Sequence, residues 1–417
     1  MDAIVLNDFD SISEAFKKDE FLGRPKSVAF NVLMELKGFG TLSGNEWKEQ
    51  KRFTLYQLRN LGFGKISMEK HINDEMIDLC QRIYQLNGKP VKIRTLLASS
   101  TSSNISALVF GKRFAYTDPN RAILDECIER AIRKLGQTGF ITFFPSFAKF
   151  CANLGLFGLN EVKKDFMIVN NYIRKQINEH KQTLDDNYIR DYIDAFLVKM
   201  KNENMTKTSF TLDMLAGNVQ GFFAAGTETV KTSIEWALLI IADHQHIQRE
   251  VQTEIDNICG RQVFPSWSQR NAMPLTQAVI NEIFRWKTIS PLNLLRITTN
   301  DTSVDNYTIK KDTVVIANLW AVHNDPLYWV SPHQFNPYRF LSDDRKQMLK
   351  YDNLIPFSIG KRSCPGESLA QTEIFVCFTA LLQKFNISPI NEVSYEEDMG
   401  LILRPKHAVT LRFEPRL

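Results

Sequence analysis

Phe357-Ser358-Ile359-Gly360-Lys361-Arg362-Ser363-Cys364-Pro365-Gly366 is the stretch whose reading decides the fold. It sets a cysteine at the end of a glycine-kinked loop, just before Pro365 and an apolar, helix-compatible run over residues 368–384. Proline favours the first helical position, so Cys364 is expected at a helix N-terminus. There, unpaired backbone N–H groups and the positive end of the dipole stabilise a thiolate, the form of cysteine that binds metal. The plain alternative is a buried structural cysteine, the common fate of a free thiol. The joint spacing Phe-x-x-Gly-x-Arg-x-Cys-x-Gly weighs against it, because at average residue usage a chance match in a chain of this length is on the order of one in ten thousand.

Working outward, residues 211–242 are apolar nearly all round, which predicts a buried central helix with Thr211 as its N-cap. Within it, Ala225, Gly226 and Thr229 share a face through i, i+3 and i, i+4 spacing, where small residues let a flat ligand approach the backbone. The Thr229 hydroxyl can bond back to the carbonyl four residues earlier. Glu228 beside it is harder to explain as packing, since a buried carboxylate is costly without a purpose. A packing notch for a neighbouring helix is the alternative for the small residues.

Between that helix and the cysteine lies Glu282-Ile283-Phe284-Arg285, an E-x-x-R on a helix expected from Pro274 to about Lys287. Glu49 and Arg52 match the same pattern, so its value lies in its position. Arg339, in Phe335-Asn336-Pro337-Tyr338-Arg339-Phe340, can complete a triad that satisfies a buried Glu–Arg pair. Upstream, Ser43-Gly44-Asn45-Glu46 signals a helix start before Trp47.

Composition bounds the remaining possibilities. With 417 residues and 44% hydrophobic content the chain can bury a substantial core. A net charge of +4 and no basic cluster argue against a nucleic-acid partner. The six cysteines (80, 127, 151, 259, 364, 377) include no C-x-x-C pair, which disfavours a disulfide framework or a zinc site and suits a reducing compartment. No run approaches the ~20 apolar residues of a membrane-spanning helix, and the first residues lack a signal-peptide pattern.

In chain order, Ala3 to Leu6 read as a strand, followed by a helical stretch with Ile12, Ala15 and Phe16 on one face. Residues 30–42 form a loop-rich connection. Residues 140–159 carry Phe140, Phe143, Phe144, Phe147, Phe150, Leu154, Leu156 and Phe157 with one charge, Lys149, and read either as a core helix pair or as a surface segment dipping into a headgroup boundary. Lys175, His180, Lys181, Asp185 and Asp186 read as a solvated helix end, and His244 and His246 as solvated. The β-branched runs 304–309 and 313–319 predict a hairpin, and 393–404 with 407–413 a small terminal sheet whose Gly400-Leu401-Ile402 tip faces the pocket.

The cysteine loop resembles the haem-binding loop of cytochrome P-450, the haem-thiolate monooxygenases, and the other motifs follow in that family's order over essentially the whole chain. The resemblance is nearest to the animal microsomal branch that oxidises xenobiotics, steroids and fatty acids. It implies a mostly α fold with small β-sheets, a single catalytic domain over 1–417, and haem between the long helix and the cysteine loop. The family's N-terminal anchor, first helix and first strand have no counterpart in this sequence, which leaves Ala3 to Leu6 as an expected sheet edge. On the same resemblance Cys364 is the axial ligand of haem b. Phe357, Gly226 and Gly366 are haem contacts. Arg24, Trp47, Lys51, Arg296 and Arg362 are the propionate partners, with lysine at 51 where arginine is usual, sharing its role with Arg52. Thr229 handles oxygen and Glu228 is the acid of the proton path. Glu282, Arg285 and Arg339 hold the cysteine loop, and Phe39, Phe222, Ala225, Ser290, Leu294, Leu295 and Leu401 line the substrate pocket.

The implied reaction inserts one oxygen of O2 into a lipophilic small molecule. Electrons come from NADPH only through NADPH-cytochrome reductase, with cytochrome b5 as a further partner, and Lys51, Lys350 and Lys361 form the docking face. The implied state is a monomer at the cytosolic face of the endoplasmic reticulum membrane, touching it through residues 140–159. Two alternatives stand beside this: a truncated, non-catalytic chain that binds haem poorly, and a haem-thiolate isomerase needing no reductase, against which Glu228 and Thr229 argue.

Overall fold

The computed structural model describes residues 2–26, 36–62, 66–137, 144–203 and 208–416. Helices dominate: α1 (Phe9–Lys17), α2 (Gly44–Asn60), α3 (Ile66–Gln85), α4 (Ile93–Phe110), α5 (Pro119–Gly136), α6 (Pro145–Asn153), α7 (Leu159–Gln182), α8 (Tyr192–Asn202), α9 (Leu212–Asp243), α10 (Gln245–Cys259), α11 (Pro274–Trp286), α12 (Leu319–Asn324) and α13 (Glu367–Lys384). The organising element is α9. Its N-cap Thr211 accepts from the Met214 N–H at 3.1 Å, satisfying one of the donors a helix start leaves free. It packs along α4, α7, α11 and α13, and α13 in turn packs on α3 and α10. Their apolar faces merge into one large core that runs from Leu58 to Phe413. A separate small core joins α5, α6 and α7 through Ala131, Leu135, Ala148, Cys151, Leu159 and Phe166.

The strands form small sheets at the periphery. β1 (Ala3–Leu6) lies at one edge of a sheet of order β1-β6-β3, with β6 (Val314–Ala317) parallel to it from Ala3 opposite Val314, and β3 (Arg296–Ile297) antiparallel on the far side. Among the described residues no strand pairs with the outer side of β1.

The hairpin expected across residues 304–319 is a correction. The hairpin is β4 (Thr302–Val304) with β5 (Tyr307–Ile309), while β6 belongs to the first sheet. Asp305 and Asn306 both adopt left-handed backbone (φ 48° and 65°), the two-residue turn whose twist matches paired strands. β6 is too apolar for a hairpin arm, since Val314, Val315 and Ala317 are buried and need neighbours on both edges. The terminal sheet is also redistributed. β8 (Glu397–Asp398) pairs with β9 (Arg404–Pro405), whereas β10 (Thr410–Pro415) pairs with β7 (Phe385–Pro389) and β2 (Val91–Lys92).

His180 is not solvated as expected. It is buried, with Nδ1 2.7 Å from the Gln176 carbonyl and Nε2 2.8 Å from Asp191 Oδ2. Both ring nitrogens face acceptors, so both carry protons and the ring is a cation. His246 is exposed, but His244 caps α9 and packs on Phe335 at 4.9 Å.

Candidate functional site

In the cysteine loop the backbone doubles back on itself, so that the Cys364 N–H donates to the Phe357 carbonyl at 2.8 Å and Ser363 N–H to the Gly360 carbonyl at 3.0 Å. Gly360 adopts φ 76°, and a β-carbon there would stand 2.3 Å from the Phe16 carbonyl oxygen. Glycine is therefore required twice over, by conformation and by space. Phe357 anchors the loop edge-on against Phe284, 5.5 Å between ring centres. The helix start differs from expectation: α13 begins at Glu367 with Gly366 as N-cap, leaving Cys364 and Pro365 just outside. The first amides still serve the sulfur. Burial pushes the Cys364 thiol up, and hydrogen bonds from the backbone of Gly366 and Glu367 pull it down. The Cys364 residue is exposed, whereas Cys80, Cys127, Cys151 and Cys377 are buried.

Around this loop stand cations with no acidic partner among the described residues. Arg362 is buried, donates to the carbonyls of Leu22 (Nε 3.1 Å, Nη2 2.6 Å) and Leu42 (Nη2 2.6 Å), and stacks 3.7 Å over the Trp47 ring. Arg296 lies 3.2 Å over the Phe16 ring and donates from Nη2 to the Ile359 carbonyl at 3.3 Å. Its Nε and Nη1 are buried without a partner among the described residues. Arg24 donates to the carbonyls of Leu294, Leu295 and Gly40. Lys51 sits 5.3 Å from the Trp47 ring centre and donates to the Lys361 carbonyl. Arg52 is exposed.

Among the described residues none of Arg24, Arg296 and Arg362 is paired with a carboxylate. Burial, with Arg24 and Arg362 adding repulsion, pulls Arg296 down to about 8; burial and Arg24 pull Arg362 to about 9; burial alone pulls Arg24 to about 10. A protein does not collect buried like charges without an anion to offset them. Bare carbonyl partners and the unpartnered Arg296 nitrogens fit a dianionic group beside Cys364, as the two carboxylates of haem would be.

On α9 the small-residue segment divides between two faces. The Thr229 hydroxyl donates to the Ala225 carbonyl at 2.6 Å. Ala225 is exposed, and Phe222 lies 5.5 Å from Phe39. Gly226 points elsewhere, since a β-carbon there would touch Ile105 of α4 at 3.1 Å. Its smallness serves helix packing, which corrects the single face expected for Ala225, Gly226 and Thr229. Glu228 also faces α4 and is paired with Arg94 and with Lys231, the latter at 2.8 Å.

Phe39 is placed by a contact the sequence does not signal. Its N–H donates to Asn218 Oδ1 at 2.7 Å, and the backbones of Gly38 and Gly217 meet so closely that a β-carbon on Gly217 would lie 2.2 Å from the Lys37 carbonyl oxygen. Ser290 is half-buried and Leu294 exposed. Leu401 is half-buried in a tip that rests on Gly136, at the end of α5, where a β-carbon would strike the Leu401 N–H.

Glu282 and Arg285 are fully buried at 0% exposure and form two hydrogen bonds, of 2.7 and 2.8 Å. Arg339 reaches the same carboxylate at 3.2 Å. Sequence reasoning missed the next link. Arg285 Nη1 donates to the His323 carbonyl at 2.8 Å, and His323 Nε2 accepts from the Ile355 N–H at 3.0 Å, two residues before the cysteine loop. Burial and Arg285 hold His323 down at about 3, so it is neutral. Nε2 is an acceptor, hence Nδ1 carries the proton and donates to Thr288 Oγ1 at 2.8 Å. No local pattern marks His323, because its partner Ile355 is remote in sequence.

A mostly helical fold with an accessible cysteine on a braced loop, ringed by guanidinium groups that lack carboxylates, defines a haem-thiolate protein. The family model described as Cytochrome P450 matches residues 1–412. Human cytochrome P450 2J2 is 36% identical over 412 residues, covering 97% of this chain and 80% of that protein. Rat cytochrome P450 2C11 is 34% identical over 400 residues (94% and 78%), and human cytochrome P450 2C8 34% over 399 (94% and 80%). The chain belongs to the cytochrome P450 family. It is a haem-thiolate monooxygenase acting on lipophilic substrates, with haem b as cofactor and electrons delivered from NADPH by a reductase.

Proposed function

We propose that Cys364 is the axial ligand of haem b in this monooxygenase, with Arg24, Arg296, Arg362, Trp47 and Lys51 around its propionates and Phe357 and Gly366 beside the ligand loop. Haem bound through a thiolate supplies the activation of O2 and the insertion of one oxygen atom into the substrate, the other leaving as water. The carrying observation is the set of three guanidiniums, Arg24, Arg296 and Arg362, that lie near the Cys364 loop with carbonyl partners and without carboxylates among the described residues. Burial of Arg296 makes its attraction for a bound carboxylate stronger than the same pair would have in water. Lys51 already donates to the Lys361 carbonyl, so it braces the cysteine loop as well as adding charge.

Thr229 holds its proton on Oγ1 against the Ala225 carbonyl, ready to turn towards the oxygen side, and Glu228 is the carboxyl that resupplies it. Phe39, Phe222, Ala225, Ser290, Leu294 and Leu401 line the substrate side. The test is recombinant protein with haem, reductase and NADPH. The reduced, CO-bound protein gives the absorption band of thiolate-ligated haem, and Cys364→Ser abolishes it. Retention of that band in Cys364→Ser sinks the ligand assignment. Thr229→Ala lowers product per NADPH, and tight coupling in that variant removes Thr229 from proton delivery.

We further propose membrane contact through the described part of the aromatic segment. Phe144, Phe147, Phe150, Leu154, Leu156 and Phe157 are all exposed, a cluster of apolar side chains that marks an interaction surface. Phe140 and Phe143 lie outside the described residues. No described helix is long and apolar enough to cross a membrane. This segment supports placement at the cytosolic face of the endoplasmic reticulum membrane, as a monomer, with Lys51, Lys350 and Lys361 meeting the reductase or cytochrome b5. Flotation with phosphatidylcholine vesicles tests it: Phe147→Ser/Phe150→Ser reduces the bound fraction, and unchanged flotation refutes the segment's role.

A further inference from the structure

Residues 79–117 contain no aspartate or glutamate, yet they hold Arg82, Lys89, Lys92, Arg94, Lys112 and Arg113. The fold neutralises two of these with acids from outside the stretch. Arg94 meets Glu129 and Glu235, and Arg113 meets Glu75 and Asp78. Arg82, in the last turn of α3, bonds only to neutral oxygens among the described residues. Its Nε donates to the Asp78 carbonyl at 3.3 Å, Nη1 to Ser99 Oγ at 3.0 Å and the Leu96 carbonyl at 3.5 Å, and Nη2 to Ser100 Oγ at 3.1 Å. The Asp78 carboxylate, the acid nearest to it in sequence, is 2.9 Å from Arg113. Lys92 is exposed and forms no ion pair among the described residues.

Arg82 and Lys92 share a groove of about 360 Å³ between the end of α3, β2 and the first turn of α4. Leu86, Val91 and Leu96 make its apolar wall, and Tyr116 closes one side. The Arg82 guanidinium carbon lies 4.2 Å from the Tyr116 ring centre, so the ring holds the group in place. A guanidinium carries five N–H donors, and the four bonds above leave at least one of them for a further acceptor. The negative end of the α3 dipole favours a cation here, but neutral acceptors and a ring face do not cancel its charge. The volume is at the small end of ligand sites, which combine apolar walls with a few convergent polar groups.

The structure assigns this groove as a second binding site, separate from the haem pocket, for a small amphipathic carboxylate such as a medium-chain fatty acid. The carboxylate meets the free Arg82 N–H and the Lys92 ammonium, and the alkyl chain lies on Leu86, Val91 and Leu96. Both halves of the ligand are called for. An inorganic anion leaves the aliphatic wall unused, and a neutral alkyl chain leaves two cations without a counter-charge. Arginine suits the role because its planar, delocalised fork matches a carboxylate while its face stays stacked on an aromatic ring.

The test is calorimetric titration of haem-loaded protein with octanoate, 1-octanol and acetate, the haem pocket being filled beforehand with 4-phenylimidazole on the iron. Octanoate is expected to bind in the weak range usual for so small a ligand. Octanol, which lacks the charge, and acetate, which lacks the chain, bind about tenfold or more weaker. Arg82→Gln removes the cation and lowers octanoate affinity by about tenfold or more. Lys92 is exposed, so Lys92→Glu keeps the fold and sets a like charge at the groove; it weakens octanoate to a similar degree and decides the matter if Arg82→Gln does not fold. Undetectable octanoate binding to wild type, unchanged binding in Lys92→Glu, or an octanol affinity equal to that of octanoate overturns the assignment. A haem absorbance change that tracks the heat overturns it as well, because the carboxylate is then displacing 4-phenylimidazole from the haem pocket.

Discussion

Replacing His323 by leucine tests whether the buried triad reaches the cysteine loop. The substitution keeps a side chain of comparable bulk at a position that is 0% exposed, so the effect is chiefly the loss of two hydrogen bonds. The Ile355 N–H is left buried without its acceptor, at about 1–3 kcal/mol. Thr288 loses the ring N–H but keeps its own bond to the Arg285 carbonyl at 2.9 Å, so little is added there. The expected loss is about 2 kcal/mol at pH 7, read as a lower urea midpoint at unchanged m-value, with faster haem release because the segment entering the cysteine loop is untied. The pH dependence is the sharper part. His323 titrates at about 3 in the folded protein against an ordinary 6.5, so its lowered value stabilises the fold above pH 6.5, and that stability is lost as pH falls from 6.5 towards 3. At pH 5 the unfolded wild type binds the proton and the native state does not, which costs wild type about 2 kcal/mol. Leucine has no such penalty. The wild-type advantage therefore vanishes near pH 5. A gap that stays constant from pH 7 to 5 refutes the neutral, accepting histidine, and no gap at pH 7 refutes the link itself.

Gly360→Ala forces an L-residue to φ 76° against the Phe16 carbonyl; the backbone alone costs about 1–2 kcal/mol, and the purified protein is expected to carry much less haem per chain by absorbance, a full complement being the contrary result. Glu373 is buried with the Asn104 amide donating at 2.8 Å, and burial raises it to about 8. Its stability contribution is complete below pH 4.5 and is lost as pH rises to about 8, roughly 5 kcal/mol by linkage, so Glu373→Gln flattens the fall in stability across that range. His180 is held above its usual value: burial opposes the charge, but Asp191 and the Gln176 carbonyl outweigh it. The stability that this gives is present in acid and lost as pH rises, so the deficit of His180→Gln, about 3–5 kcal/mol for a broken buried pair, is largest in acid and narrows in alkali.

How much of this was written locally follows from range. The cysteine loop, the N-cap at Thr211, the Thr229 back-bond and the Glu282–Arg285 pair each depend on residues within a few positions of one another, where spacing and side-chain chemistry settle the outcome. Strand pairing does not. β6 and β1 are separated by some three hundred positions, and only burial on both edges chooses that partner over the nearer hairpin arm. The backbone contact of Gly38 with Gly217 was invisible for the same reason, although Gly217, a glycine inside a helix, was a signal of close approach.

The site shows the same division more sharply. Its cations were readable one at a time, but that Arg24, Arg296 and Arg362 converge without a carboxylate is a property of the assembled fold, and this convergence makes the cluster suit a dianion. The long helix reads as apolar nearly all round and is largely buried, but counting hydrophobic residues hides where its few charges fall. Glu228, Lys231 and Glu235 share one stripe, and a stripe of charge buried in a core demands partners that the helix itself cannot fully supply. Arg94 and Glu129 come from two other helices. The Lys231 side chain, buried three positions from Glu228, therefore needed the fold to become meaningful, since Glu228 and Glu129 flank its ammonium only once three helices are assembled.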